Sequence, residues 1–442
     1  MTNERVQHEE RRCARHQRMP DVLRIALLHA TLPTPVGARP RDGGVSHVVH
    51  ELATALARRG HDVRVASLDT PPPAAAYRGV RLADPWGIAR SRLGRTWGLP
   101  WLILWQGLCG GPATGLWRLP PAAPGAPGAG PEGMPARRTP ALPAPVGLPA
   151  AFSVAGAPAL PAGPDQPDVV HAHGDDWLLA PALRLYGLAG RSRPALVRTF
   201  HGSALAEARA AGTAPARRVN QLLLYLAELV SAASVDAAVA VSPATARLVP
   251  RVRAVIPPGV DLARFRPGPA GARSAVPAVL VVGTLGGRKR GWLAVRAFQE
   301  AVRPRLAGAE LWMVCPEPVT GPGVVWLGKL ASEALVARYQ RAWVVCLPSA
   351  YEGFGLPALE ALACGTPVVA TPTPGAREVL AGGRYGLLVP PAELGQALAA
   401  LLADPARRAH LAAAGLARAA EYSWERIAAR HEALYADVLR KA

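Results

Sequence analysis

Short apolar runs alternate with stretches of helical period along most of the chain, and this alternation constrains the fold more than any other feature. Val22-Leu23-Arg24-Ile25-Ala26-Leu27-Leu28 reads as a buried strand. A loop with Pro33, Pro35, Pro40, Gly43 and Gly44 follows. Val45, Val48, Val49, Leu52 and Leu56 then keep one face of a helix, Gly60 stops it, and residues 63–68 read as the next strand. A β-α-β beginning of this kind predicts a parallel sheet.

The pattern breaks between residues 112 and 167, where 15 Pro and 8 Gly stand. Such a stretch cannot hold a helix or a central strand, so it reads as an insertion or linker outside the core. Residues 1–20 read as a polar, disordered tail. Strand and helix patterns resume at Asp168 and continue to Ile256. Residues 266–275, rich in Arg, Pro, Gly, Ala and Ser, look like an interdomain connector. A second alternating set begins at Ala278. The expected architecture is α/β, with two doubly wound domains, 21–265 and 276–420, facing across a cleft. A last helix within 421–442 is expected to pack back toward the first domain. Ligands should bind where the carboxyl ends of strands meet helix N-termini.

The 442-residue chain is half hydrophobic and carries a net charge of +19. The excess forms no block and rests on 47 Arg against 3 Lys, so no nucleic-acid partner is expected. Its field would favour anionic small molecules or an anionic membrane surface. Five Cys with no CxxC spacing suggest neither a disulfide framework nor a zinc cage, and read as reduced thiols. No apolar run is long enough to span a bilayer, and the arginine-rich start lacks the apolar core of a secretory signal.

Chemistry concentrates in two loops. In residues 348–370 a strand delivers the chain to Glu352-Gly353-Phe354-Gly355-Leu356, and Pro357 then suits the first turn of a helix. Free N–H groups at such a start attract a diphosphate, and glycines let the backbone approach a ligand closely. Glu352 and Glu360 can accept bonds from sugar or ribose hydroxyls, or they can be a loop anion and a helix-dipole carboxylate. In residues 282–291 a strand ends in a glycine loop carrying Arg288, Lys289 and Arg290, which suits a phosphate clamp or a solvated basic turn. Gly43-Gly44 offers a second anion site. His171, His173 and His201 stand at strand ends, as structural or catalytic groups.

The order of these motifs resembles the family-4 type glycosyltransferases of GT-B fold. Glu352-x7-Glu360 is similar to the signature of the retaining enzymes. Supporting matches are Gly43-Gly44-Val45, DVVHAH at 168–173, TFHG at 199–202, VSPATARLV at 241–249, IPPGVDLARF at 256–265, VGT…RK at 282–289 and YSWERIAARHEALY at 422–435. The resemblance implies a retaining, metal-independent hexosyltransferase that uses a nucleotide diphosphate sugar and no other cofactor. It implies catalytic roles for Glu352, His173 and Lys289. Arg288 and Lys289 would hold the diphosphate. Glu352 with the backbone of Gly353, Phe354, Gly355 and Leu356 would hold the sugar. Glu360 would bind the ribose, and Gly44 would approach the phosphates. Thr284 stands where many relatives have Arg, and Pro258 where Asn is common. A nucleotide-sugar epimerase on the same fold, or a silent partner-binding subunit, are the alternatives. Residues 70–165 carry none of these motifs.

Five of the 11 Trp fall between residues 86 and 117. Pro100 can open a short helix with Trp101, Leu104, Trp105 and Leu108 on one face, near Arg90, Arg92 and Arg95. Such a face suits a lid, or a bilayer interface with a lipid-linked acceptor. The expected location is cytoplasmic, with peripheral contact at the inner membrane face.

Overall fold

The computed structural model describes residues 21–29, 44–67, 75–81, 167–174, 179–188, 193–210 and 215–441. The 1–20 tail, nearly all of the Pro/Gly-rich stretch and the Trp101–Trp105 segment lie outside them.

The first sheet has seven strands in the order β3-β2-β1-β4-β5-β6-β7. They are β1 Arg24–Leu28, β2 Asp62–Ser67, β3 Arg78–Arg81, β4 Val169–Ala172, β5 Ala195–Phe200, β6 Ala237–Ala240 and β7 Val252–Val255. The second has six, in the order β10-β9-β8-β11-β12-β13. They are β8 Ala278–Val282, β9 Glu310–Val314, β10 Val324–Trp326, β11 Val344–Leu347, β12 Val368–Ala370 and β13 Leu387–Leu388. Both sheets are parallel, and in each the strand order reverses beside the first strand. Crevices at the carboxyl ends of β1/β4 and β8/β11 follow from that topology.

Helices fill the crossovers. In the first domain they are α1 Gly44–Arg58, α2 Leu179–Leu188, α3 Ala204–Ala210, α4 Pro215–Ser234 and the single turn α5 Pro243–Ala246. In the second they are α6 Gly291–Ala297, α7 Ser332–Arg341, α8 Leu356–Ala363, α9 Pro374–Val379, α10 Leu394–Ala403 and α11 Pro405–Ala420, and the chain closes with α12 Trp424–Lys441. α6 runs on into a wider π turn, Phe298–Val302. In α1 the expected apolar face is buried through Val48, Val49, Leu52 and Leu56, and Gly60 reverses the chain at φ +96°. Residues 266–275 are a docked connector. Arg273 donates to the Ala342 and Gly365 carbonyls and to Thr366, while Trp343 Nε1 donates to the Ser274 carbonyl at 2.9 Å.

The final helix belongs to the first core. Trp424, Ile427, Ala428, Tyr435 and Val438 pack with Ile25, Leu27, Val49 and Leu52. At the crossing, Val260 N–H donates to the Tyr422 carbonyl at 2.8 Å. The Trp424 ring lies over Gly259 so closely that a Cβ there would stand 2.7 Å from it. Arg59 and His61 bind Glu432, and Arg253 binds Asp437, which ties α12 to the first domain by its polar face as well.

A column of buried histidines sits under this junction. His171 bridges the Tyr435 hydroxyl at 2.7 Å and the Thr199 hydroxyl at 2.8 Å. The His171 ring lies 4.2 Å from that of His173 and 5.5 Å from that of His431. Burial keeps these rings neutral. It lowers His29 to about 4, opposed by the ring's hydrogen bonding to the His173 backbone. It lowers His431 to about 4 as well, opposed by the bond with the Ile427 carbonyl and assisted by Arg430. His171 and His173 are held well below the ordinary value, by burial first and by the neighbouring rings second.

Two predictions follow from this packing. Gly259→Ala drives a methyl into Trp424 and should cost about 1–3 kcal/mol in urea unfolding, whereas Gly286→Ala, which meets nothing within 4 Å, should leave the midpoint unchanged. An unfolded histidine takes up its proton near pH 6.5 and a folded one near pH 4. The unfolded chain therefore binds more protons in that window, and stability falls as pH drops through it. Each such ring contributes a slope of up to about 1.4 kcal/mol per pH unit. His431→Gln should flatten the measured dependence by about one proton, and an unchanged slope would contradict this account.

Candidate functional site

The loop after β11 turns on two bonds from one side chain. Arg290, which adopts φ +48°, donates from Nε to the Pro348 carbonyl at 2.8 Å and from Nη2 to the Ser349 carbonyl at 2.9 Å. Of the three consecutive cations in the sequence, this one therefore builds the loop. Arg288 and Lys289 lie in a 3-10 turn, Gly287–Lys289, just after β8. They bring their charges to one carboxylate. Lys289 Nζ stands 2.6 Å from Glu352 Oε1, and Arg288 Nη1 3.0 Å from Oε2. Ser349 Oγ donates to Oε1 at 2.7 Å. Burial pushes the Glu352 carboxyl upward, but the two cations and these hydrogen bonds outweigh it and hold the group below its ordinary value.

The glycines that follow meet opposite walls of the cleft. A Cβ on Gly353 would lie 2.1 Å from the His201 carbonyl oxygen of the first domain. No other residue permits this approach. Gly355 adopts φ +97° and caps α8, where Pro357 occupies the first turn. The Phe354 ring is buried in the second core near Tyr422, so of this residue only the backbone serves the loop. Leu356 packs against both cores and touches the position a Gly44 Cβ would take, at 3.5 Å. Gly44 opens α1, so two helix N-termini, one from each domain, start at the same cleft.

Glu360 sits one turn into α8 and accepts from the Tyr339 hydroxyl at 2.7 Å. Burial, the larger influence, raises its carboxyl above the ordinary value against that bond. His173 leaves the end of β4 and is 3% exposed. Its Nδ1 lies 3.0 Å from His201 Nε2, and its own Nε2 is buried with no partner. Burial, then His29, His431 and Arg198, lower His201 to about 3. Both rings are neutral, so one proton serves the bond between them. Thr284 closes its own turn on the Gly286 carbonyl at 2.9 Å.

Sequence reasoning missed several supporting groups. Tyr339, Ser349 and Tyr351, whose hydroxyl accepts from Ser203 N–H at 3.2 Å, hold the site in place. Ser349 and Tyr351, within three residues of Glu352, had a local signal, and Tyr339 had none. Among the described residues no cluster of His, Cys, Asp and Glu is arranged to hold a metal ion, and no helix is long and apolar enough to cross a membrane.

Comparison with known proteins agrees with this geometry. Residues 42–106 and 121–264 match the model of Glycosyltransferase Family 4, and residues 276–404 that of Glycosyl transferases group 1. Much of the 70–165 stretch, which carried no motif, is thus spanned by the first match. The chain is 32% identical to the D-inositol 3-phosphate glycosyltransferase of Xylanimonas cellulosilytica, over 62% of this chain and 73% of that one. It is also 32% identical to the enzyme of the same name from Geodermatophilus obscurus, over 60% of this chain and 65% of that one. The match to the Thermobispora bispora enzyme spans about half of that protein, 51%, at 34% identity over 42% of this chain. The fold is similar to that of sucrose-phosphate synthase from Thermosynechococcus elongatus (TM-score 0.65, 22% identity, 95% of this chain and 99% of that one). It is also similar to Anabaena HepE, solved with UDP and glucose (TM-score 0.59, 14% identity, 94% and 99%). With two parallel-sheet domains closing on one cleft and these sequence matches, the chain belongs to the family-4 type glycosyltransferases of GT-B fold.

Proposed function

We propose that the chain transfers a sugar from a nucleotide diphosphate sugar to an acceptor with retention at the anomeric carbon. The observation that carries this reading is the Glu352 carboxylate, clasped by Lys289, Arg288 and Ser349 where the strand ends of both domains meet. Two cations beside two helix N-termini suit a diphosphate, which would draw Arg288 and Lys289 onto its own charge as it departs. Glu352 and the backbone of 353–356 would hold the sugar. His173 Nε2, buried and unpartnered, would accept or donate one sugar hydroxyl bond. Glu360 would take the ribose hydroxyls. Gly44 would let α1 approach the phosphates. Closure of the cleft would exclude water and favour transfer over hydrolysis.

No metal and no protein nucleophile is assigned a step in this scheme. The acceptor is left open. A phosphorylated polyol, the substrate for which the relatives are named, is the first to assay, with a lipid-linked acceptor the second. We place the chain's work in a reducing compartment such as the cytoplasm, where its five cysteines would stay as thiols.

The test is release of nucleoside diphosphate from a panel of nucleotide sugars, with and without acceptors. Wild type should release one diphosphate with its matching sugar. Glu352→Ala and Lys289→Ala should each lower the rate about ten- to a hundredfold, as expected for one lost charge-assisted bond, with melting temperature retained. Wild-type rates in both variants would remove these residues from the site. Isomerised donor without a glycosylated product would favour an epimerase.

A further inference from the structure

Helix α4 has its polarity reversed. Ala227, Ser231 and Ala232 are buried, and Ala232 packs with Phe200, Ala238 and Val249. Two polar groups of the helix, Tyr225 and Glu228, point the same way. The Tyr225 hydroxyl donates to the Leu248 carbonyl at 3.0 Å, and Glu228 accepts from Ala204 N–H at 3.1 Å and from the Ser203 hydroxyl at 3.3 Å. The outer face carries Val219, Leu222, Leu223, Leu226 and Val230, between 47% and 59% exposed. Their spacing places them in one stripe along the helix. Leu185, on the neighbouring α2, is 67% exposed. Among the described residues nothing covers these five large aliphatic side chains, while the carboxylate turns inward, an arrangement that folding of those residues alone does not require.

We infer that this stripe is a docking surface for an anionic lipid bilayer, on which α4 lies flat with Leu222, Leu223 and Leu226 in the interface. Charge selects that occupant. The stripe carries no acidic side chain, because Glu228 faces inward. Arg218 is exposed at its start, and Arg184, half exposed beside Leu185, shares Asp236 with Arg193, so two arginines there face one carboxylate. The whole chain carries +19, which opposes the approach of a second copy and favours an anionic surface. A bilayer also accepts a convex apolar ridge without a matching groove. No described helix can cross the bilayer, so the contact is peripheral. The surface is one helix from the cleft. Glu228 caps the start of α3, where Ser203 N–H donates to Tyr351, the residue before Glu352. This assignment does not depend on which sugar is moved.

The test is cosedimentation of the full chain with vesicles of phosphatidylglycerol and phosphatidylcholine, and with phosphatidylcholine alone. Wild type should pellet with the anionic vesicles, and less with neutral ones or at high salt. Leu222→Ser/Leu226→Ser keeps every charge, should melt like wild type, and should bind about tenfold less or weaker still. Equal binding by the double variant would show that the stripe is not the contact. Wild type remaining in the supernatant would overturn the membrane assignment. A wild-type dimer in light scattering that the double variant abolishes would give the stripe to a second copy instead.

Discussion

Position 353 has no side chain because the His201 carbonyl occupies the place where a Cβ would be. This backbone-to-backbone approach sets the separation of the two domains at the cleft. Everything at the site is arranged around it. Glu352 precedes the contact and faces the cations from β8. Leu356 follows it and reaches the start of α1. His201, which supplies the carbonyl, also holds His173. A side chain at 353 would part these groups by more than the few tenths of an ångström that close packing absorbs.

The electrostatic design is one of shared charge. Glu352 is held ionised by two cations whose separate ion pairs would be worth little in water. Gathered on a largely buried carboxylate at the cleft, the same groups form a preorganised cluster that can be redistributed onto an incoming anion. Arg290 shows how the loop is kept rigid enough for this. It spends its guanidinium on two carbonyls, so the neighbouring Arg288 and Lys289 are the cations left for chemistry. The neutral histidines behind β4 and β5 complete the site with polar groups that carry no competing charge.

Much of this was legible in the sequence, for identifiable reasons. The inner strands, such as β4, β5, β6 and β11, are short runs buried on both faces, and such runs stand out whatever surrounds them. Glu352, Gly353, Gly355 and Glu360 fall within nine residues, so their common placement needs only local geometry. Other features were not legible. β3, with the sequence Arg78-Gly79-Val80-Arg81, has no apolar run, and its strand form depends on pairing with β2. β13 is two residues long. The bonds from Tyr339 to Glu360 and between His173 and His201 join residues far apart in sequence, and only the parallel topology brings them together. The role of Arg290 as a backbone clamp was hidden among equivalent neighbours. The exposed stripe of α4 was hidden for the opposite reason. A leucine-rich helix reads as core, and only the direction of Tyr225 and Glu228 shows which face is turned to solvent.

The most direct test of the donor site is calorimetric titration with nucleoside diphosphates, which needs neither the sugar nor the acceptor to be known. The account predicts that wild type binds one of them at a single site. It further predicts that Arg288→Ala/Lys289→Ala loses that binding while Gly286→Ala, in the same loop, retains it. Failure of every nucleoside diphosphate to bind, or equal binding by the double variant, would contradict it.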